Sequence, residues 1–141
     1  MIQKKKTNRR MRKAFTLVEL LVVIMIVAML AGLVAPRLFS QVDKAKYDTA
    51  KPKMSNIETA IDAYRLNTGT LPETLEDLLT DPGIGGWTGP YVKASALEDP
   101  WGNEYIYDPE GTISGGDYDL ISYGADGESG GEDFNADIYN D

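Results

Sequence analysis

Sixteen consecutive residues, 20–35, carry neither a charge nor a polar side chain. Extended back to Phe15 the run reaches twenty-one residues, interrupted only by Thr16 and Glu19. As a helix rising ~1.5 Å per residue it would be roughly 30 Å long, the thickness of a bilayer's hydrocarbon core. Glu19 is out of place in such a span, because a carboxylate near its start is expensive and needs a partner or a function. An ordinary membrane anchor and a secretory signal peptide are the plain alternatives. A signal peptide wants a small-x-small site after a short apolar core, and Val34-Ala35-Pro36 is a poor one.

Charge is distributed unevenly around this run. The chain of 141 residues has a formal net charge of −8, yet seven of its fourteen Lys and Arg residues lie in residues 4–13. The remainder holds 22 acidic residues against seven basic ones. A basic segment beside a membrane span is best read as an orientation signal. It stays in the cytoplasm and leaves the C-terminal part outside. The acidic remainder argues against nucleic acid as a partner. The chain contains no Cys and no His, which excludes disulfides, Ser-His-Asp triads, Cys nucleophiles and the usual zinc sites.

Beyond Pro36 the apolar run becomes a stripe. Ala50, Met54, Ile57, Ile61 and Tyr64 recur at helical spacing, with Lys51, Lys53, Ser55, Glu58, Asp62 and Arg65 on the other face. The spacing predicts one long helix from about Phe15 to about Leu66. Pro36 and Pro52 are expected to kink or loosen it, and Asn67-Thr68-Gly69 to stop it. Residues 71–79 read as a short second helix with Leu75, Leu78 and Leu79 on its apolar side. Residues 87–91 form a turn-rich aromatic connection. In Asp99-Pro100-Trp101-Gly102-Asn103-Glu104-Tyr105, Asp-Pro makes a turn and Trp101 is an apolar anchor. Tyr105 and Tyr107 suggest a strand, with residues 117–123 as its hairpin partner. A two- or three-stranded sheet would be marginal alone, so the helix stripe is its natural cover.

Several stretches carry a family resemblance. Lys13-Ala14-Phe15-Thr16-Leu17-Val18-Glu19, followed by the apolar helix, resembles the class III signal of type IV pilins and pseudopilins. The resemblance implies that a prepilin peptidase cuts between Ala14 and Phe15 and methylates the new N-terminus. Ala14 stands where the family usually has Gly, and slower processing is expected. Glu19 matches the family's glutamate at the fifth mature position, and Pro36 its helix-kinking proline. A free amine on Phe15 would lie one helical turn from Glu19, so the carboxylate of one subunit can pair with the amine of its neighbour and select one docking register. The Asp-Pro-Trp-Gly stretch is similar to that of the major pseudopilins of type II secretion.

The end of the chain is acidic and glycine-rich. Thirteen acidic residues lie between Glu98 and Asp141, and no basic residue follows Lys93. Such a segment either stays hydrated and mobile or folds around a cation, for which calcium has the right preference for hard oxygen ligands. Composition leaves that choice open. Ser122-Tyr123-Gly124-Ala125-Asp126-Gly127 and Ala136-Asp137-Ile138 resemble the two segments of the pseudopilin calcium loop. The resemblance implies Asp126 and Asp137 as side-chain ligands and carbonyls near Tyr123 and Glu128. Ala136 replaces the first Asp of the family's pair, and Asp133 is the expected substitute.

Together these features imply an α+β, type IV pilin-like fold. Residues 1–14 would be a cleaved cytoplasmic leader and residues 15–36 the transmembrane and assembly half of the helix. Residues 37–141 would form a periplasmic globular domain with a calcium-binding loop. The implied role is a non-enzymatic subunit of the type II secretion pseudopilus. It would be a homopolymer stored in the inner membrane that meets minor pseudopilins, the prepilin peptidase and the assembly platform, driven by a separate ATPase since the chain has no phosphate-binding loop. The nearest alternative is a surface-fibre pilin for adhesion, motility or DNA uptake. An alternative of another class is a carboxylate hydrolase using Asp99, Glu104 or Asp126.

Overall fold

The structure, a computed structural model, describes residues 14–140. The basic stretch at residues 4–13 therefore lies outside the described residues. The chain divides into a unit ending at Leu38 and a second from Phe39 to Asp141.

One helix, α1 (Leu17–Thr68, 52 residues), dominates the secondary structure. It ends as its sequence requires: Gly69 adopts φ 80°, a conformation side-chain-bearing residues resist, and its N–H donates to the Arg65 carbonyl at 2.8 Å. Helical backbone runs on through Pro36 and Pro52. Each proline removes only one helical donor, and the neighbouring turns carry the element through. In the first unit nothing among the described residues covers the helix. The large apolar side chains from Phe15 to Val34 are 47–86% exposed.

In the second unit α1 buries Ala50, Met54, Ile57, Ala60, Ile61 and Tyr64. All five residues of the expected stripe are among them. Their cover is Leu78, Tyr105, Leu120 and Ile138. Strands β1 (Ile106–Asp108), β2 (Asp119–Ser122) and β3 (Ile138–Tyr139) form an antiparallel sheet in the order β1-β2-β3. Tyr107 pairs with Leu120, and Ser122 with Ile138. Alternation places Leu120 toward the helix, while Ile121 lies in the row between Ile106 and Tyr139. β3 is held further by Asn140, whose Oδ1 accepts the Leu120 N–H at 2.9 Å and whose own N–H donates to the Leu120 carbonyl at 3.0 Å.

The expected helix over residues 71–79 shrinks to one 3-10 turn, Leu75–Leu78. The Asp77 carboxylate folds back to accept the N–H groups of Glu73 and Thr74 at 2.9 and 3.1 Å. The Asp77 carbonyl is occupied by the Trp87 indole N–H at 2.9 Å, and the Leu78 carbonyl by the Tyr91 N–H at 2.8 Å. Thr74 is extended backbone and the N–H groups of Glu73 and Thr74 go to the Asp77 side chain, so the turn starts only at Leu75.

Candidate functional site: the helix start and the acidic C-terminal loops

Ala14 and Phe15 are exposed and precede the helix in non-helical backbone. Thr16 is the cap. Its N–H donates to Glu19 Oε2 at 2.9 Å, its hydroxyl donates to the same oxygen at 3.2 Å, and the Glu19 N–H donates to Thr16 Oγ1 at 3.2 Å. This reciprocal arrangement is a capping box, legible in the Thr-x-x-Glu spacing but not singled out beforehand. Glu19 thus has a local partner before any neighbouring subunit arrives. Pro36 lies in the helix with its side chain exposed.

The second region begins at Asp99, which is buried. Its Oδ1 accepts the N–H groups of Trp101 and Asn103 at 3.0 and 2.9 Å. Its Oδ2 accepts the Ser122 hydroxyl at 2.7 Å. The Asp-Pro-Trp-Gly turn is thereby locked to the end of β2. Both Asp99 oxygens accept hydrogen bonds that tie the turn together. Ser122 and Asn103 are the residues that sequence reading missed here. Asp-Pro-x-Gly-Asn marks a turn, but its distant partner is not local information.

The loops that carry the expected ligands run side by side. The Ala125 N–H donates to the Phe134 carbonyl at 2.9 Å. Gly124 has φ 70°, and a Cβ there would sit 2.8 Å from the Phe134 carbonyl oxygen and 2.9 Å from that of Ala136. Only glycine lets the 122–128 segment approach the 134–136 backbone so closely. Tyr47 of α1 packs edge-on against both Trp101 and Phe134, with centroids 6.5 and 6.2 Å apart.

Within these loops Asp126 is exposed, and its Oδ1 accepts the Glu128 N–H at 3.1 Å. The Asp137 carboxylate accepts the Gly130 N–H at 3.0 Å and the Tyr139 hydroxyl at 3.1 Å. Glu128 and Asp133 are exposed, Tyr123 is half-buried, and Asp133 adopts φ 55°. Among the described residues no three acidic side chains converge as a metal-holding group. The structure does bring the two acidic segments together, with carbonyl oxygens of residues 134 and 136 at their junction. Carboxylate and carbonyl oxygens are the donor chemistry that suits calcium.

Comparison with known proteins agrees with this architecture. Residues 37–141 match the family described as type II secretion system (T2SS), protein G, and residues 9–35 match the prokaryotic N-terminal methylation motif. The chain is 41% identical over 140 residues to the type II secretion system core protein G of Pseudomonas aeruginosa, covering 94% of this chain and 97% of that one. It is 37% identical over 132 residues to the protein of the same name from Xanthomonas campestris pv. campestris, covering 93% and 91%. The crystal structure of the major pseudopilin from the type 2 secretion system of enterohaemorrhagic Escherichia coli superposes with a TM-score of 0.56 at 30% identity, covering 74% of this chain and 94% of that one. These relatives favour a pseudopilin over a surface-fibre pilin. With its capped apolar helix, its three-stranded sheet and the match over residues 37–141, the chain belongs to the type II secretion system protein G family.

Proposed function

We propose that this chain is the major structural subunit of a type II secretion pseudopilus, polymerising through the apolar half of α1 to drive export of folded proteins. The observation that carries this reading is the uncovered helix start. A stretch 47–86% exposed over its large apolar side chains needs lipid or copies of itself around it. In our reading copies of itself surround it in the working state and lipid in storage, which family membership supports. The basic segment at residues 4–13 orients the anchor with residues 37–141 on the periplasmic side of the inner membrane. A prepilin peptidase would act at Ala14-Phe15, and the growing filament would engage minor pseudopilins and an inner-membrane assembly platform.

Glu19 has two partners in this scheme. In the lone subunit it caps the helix through Thr16. In the filament its carboxylate meets the methylated amine of Phe15 on a neighbour, and the penalty for a buried, unpaired charge restricts docking to that register.

We infer that the C-terminal loops hold calcium, through the carboxylates of Asp126 and Asp137, carbonyls near Tyr123 and Glu128, and Asp133. The side-by-side course of the two segments supports this. A bound divalent cation would supply charge neutralisation to a segment without a basic residue of its own. The protein's part is to keep Gly124 and residues 134–136 in register.

The test is the intact mass and N-terminal fragmentation of the protein from its native membrane, with filaments examined by electron microscopy. A chain beginning at N-methylated Phe15 and found in filaments is the expected result. A chain that keeps residues 1–14 and never polymerises would remove the basis for the assembly mechanism.

A further inference from the structure

Asn103 follows the Asp-Pro-Trp-Gly turn, and both of its backbone groups are tied to Asp99. Its N–H donates to Asp99 Oδ1 at 2.9 Å, and its carbonyl accepts the Asp99 N–H at 2.7 Å. The half-buried carboxamide leaves the turn and reaches the C-terminal loop, where Nδ2 donates to the Gly124 carbonyl at 3.4 Å. The Gly124 N–H donates in turn to Ser122 Oγ at 3.3 Å, and the Ser122 hydroxyl to Asp99 Oδ2 at 2.7 Å. Asp99, Ser122, Gly124 and Asn103 thus close a ring of hydrogen bonds.

The same carboxamide also meets Gly127. A Cβ there would sit 3.1 Å from Asn103 Nδ2 and 3.3 Å from its Oδ1, and Gly127 has φ 69°. Gly124 makes the corresponding approach to the carbonyls of residues 134 and 136. The 124–127 strip is therefore gripped between Asn103 and the 134–136 backbone, with a glycine at each point of contact. Asp126 lies inside the strip, and Tyr123 and Glu128 flank it. An amide suits this place, because it supplies a donor to the loop backbone and brings no further negative charge to an acidic segment.

We propose that Asn103 is a positioning residue for the C-terminal cation loop: its carboxamide holds residues 124–127 in the course they take beside residues 134–136, and so sets the affinity for calcium. The proposal rests on the calcium reading above and concerns a residue that is not a ligand in it. A loop already held in place loses less conformational freedom when an ion binds, so affinity rises without a further contact to the metal. Outer groups that orient metal-binding ones typically matter by roughly 10–100-fold in affinity.

Calorimetric titration of the full chain in detergent with calcium chloride tests this. Asn103→Ala is expected to bind calcium about tenfold more weakly than the parent while keeping a cooperative melt in calcium-free buffer. Gly127→Ala presses on the same contact from the other side. Its loss of affinity is expected to shrink in the Asn103→Ala background, because the amide it would meet is gone. Should Asn103→Ala fail to fold, judged by its melt, Asn103→Leu, which keeps the bulk and lacks the donor, replaces it with the same expected loss of affinity. An unchanged dissociation constant in the Asn103 variant, whatever its calcium-free melting temperature, would leave Asn103 a structural link and overturn the proposal, with the calcium reading intact. A parent chain that binds no calcium at millimolar concentration would overturn both.

Discussion

Ser122 at the end of β2 donates a 2.7 Å hydrogen bond to the buried carboxylate of Asp99, twenty-three residues earlier. Two further donors, the N–H groups of Trp101 and Asn103, converge on the same side chain. Asp99→Ala would leave buried donors unsatisfied, at roughly 1–3 kcal/mol each for those that water cannot reach. We expect a loss of about 3 kcal/mol in urea denaturation of the full chain in detergent, and about 1 kcal/mol for Ser122→Ala, which removes a single contact. A loss for Asp99→Ala no greater than that for Ser122→Ala would mean that the turn is held by Trp101 packing alone.

Asp119 makes stability depend on acid. It is buried, and the Ser114 hydroxyl together with the N–H groups of Ile113 and Ser114 holds its carboxyl below the usual value of 3.8, against the opposing effect of burial. A depressed folded value means the unfolded state binds the proton first. The contribution is therefore present above about pH 3.8 and is lost as pH falls through the lower folded value. Asp108, held low by the Thr112 hydroxyl and the Glu110 N–H, acts in the same sense. Asp119→Asn is expected to be less stable than the parent near neutral pH and to lose less on acidification. Denaturation curves at about pH 7 and about pH 3 compare the two slopes; parallel loss in both proteins would assign the acid response elsewhere.

The Thr16–Glu19 capping box separates two roles of Glu19. Thr16→Val removes the hydroxyl but keeps the carboxylate, so it costs about 1 kcal/mol of helix-end stability. Glu19→Ala removes the filament partner as well. Both variants should insert into the membrane. Filament yield should fall modestly for Thr16→Val and by more than about tenfold for Glu19→Ala, the change that ~1.4 kcal/mol produces. Equal yields from Glu19→Ala and the parent would leave Glu19 as a cap and nothing more.

Calcium is expected to raise the melting temperature of the full chain. At a hundredfold excess over its dissociation constant a ligand bound only by the folded state adds ~2.7 kcal/mol. Asp126→Ala and Asp137→Ala should abolish the shift. Asp137→Ala should also destabilise the calcium-free protein, because the Asp137 carboxylate already holds the Gly130 N–H and the Tyr139 hydroxyl. No shift in the parent at millimolar calcium would remove the site from the scheme.

What the sequence determined by itself was everything written at short range. Helix periodicity placed Ala50, Met54, Ile57, Ile61 and Tyr64 on the buried face, and all five are there. Gly69 marked the stop to within two residues, and Thr16-x-x-Glu19 encoded the cap. These features depend on residues three or four apart, which neighbouring side chains settle. Tertiary structure decided the rest. It drew the aromatic connection onto the 3-10 turn by giving the Asp77 and Leu78 carbonyls to Trp87 and Tyr91. It made Asp99 a junction by placing Ser122 within reach, and added β3 through Asn140. It gathered Glu73, Glu76, Glu98 and Glu104 around one cavity although they span thirty-two positions of sequence. Each of these needs a partner ten or more residues away, and no local pattern records which distant group a carbonyl or carboxylate will meet.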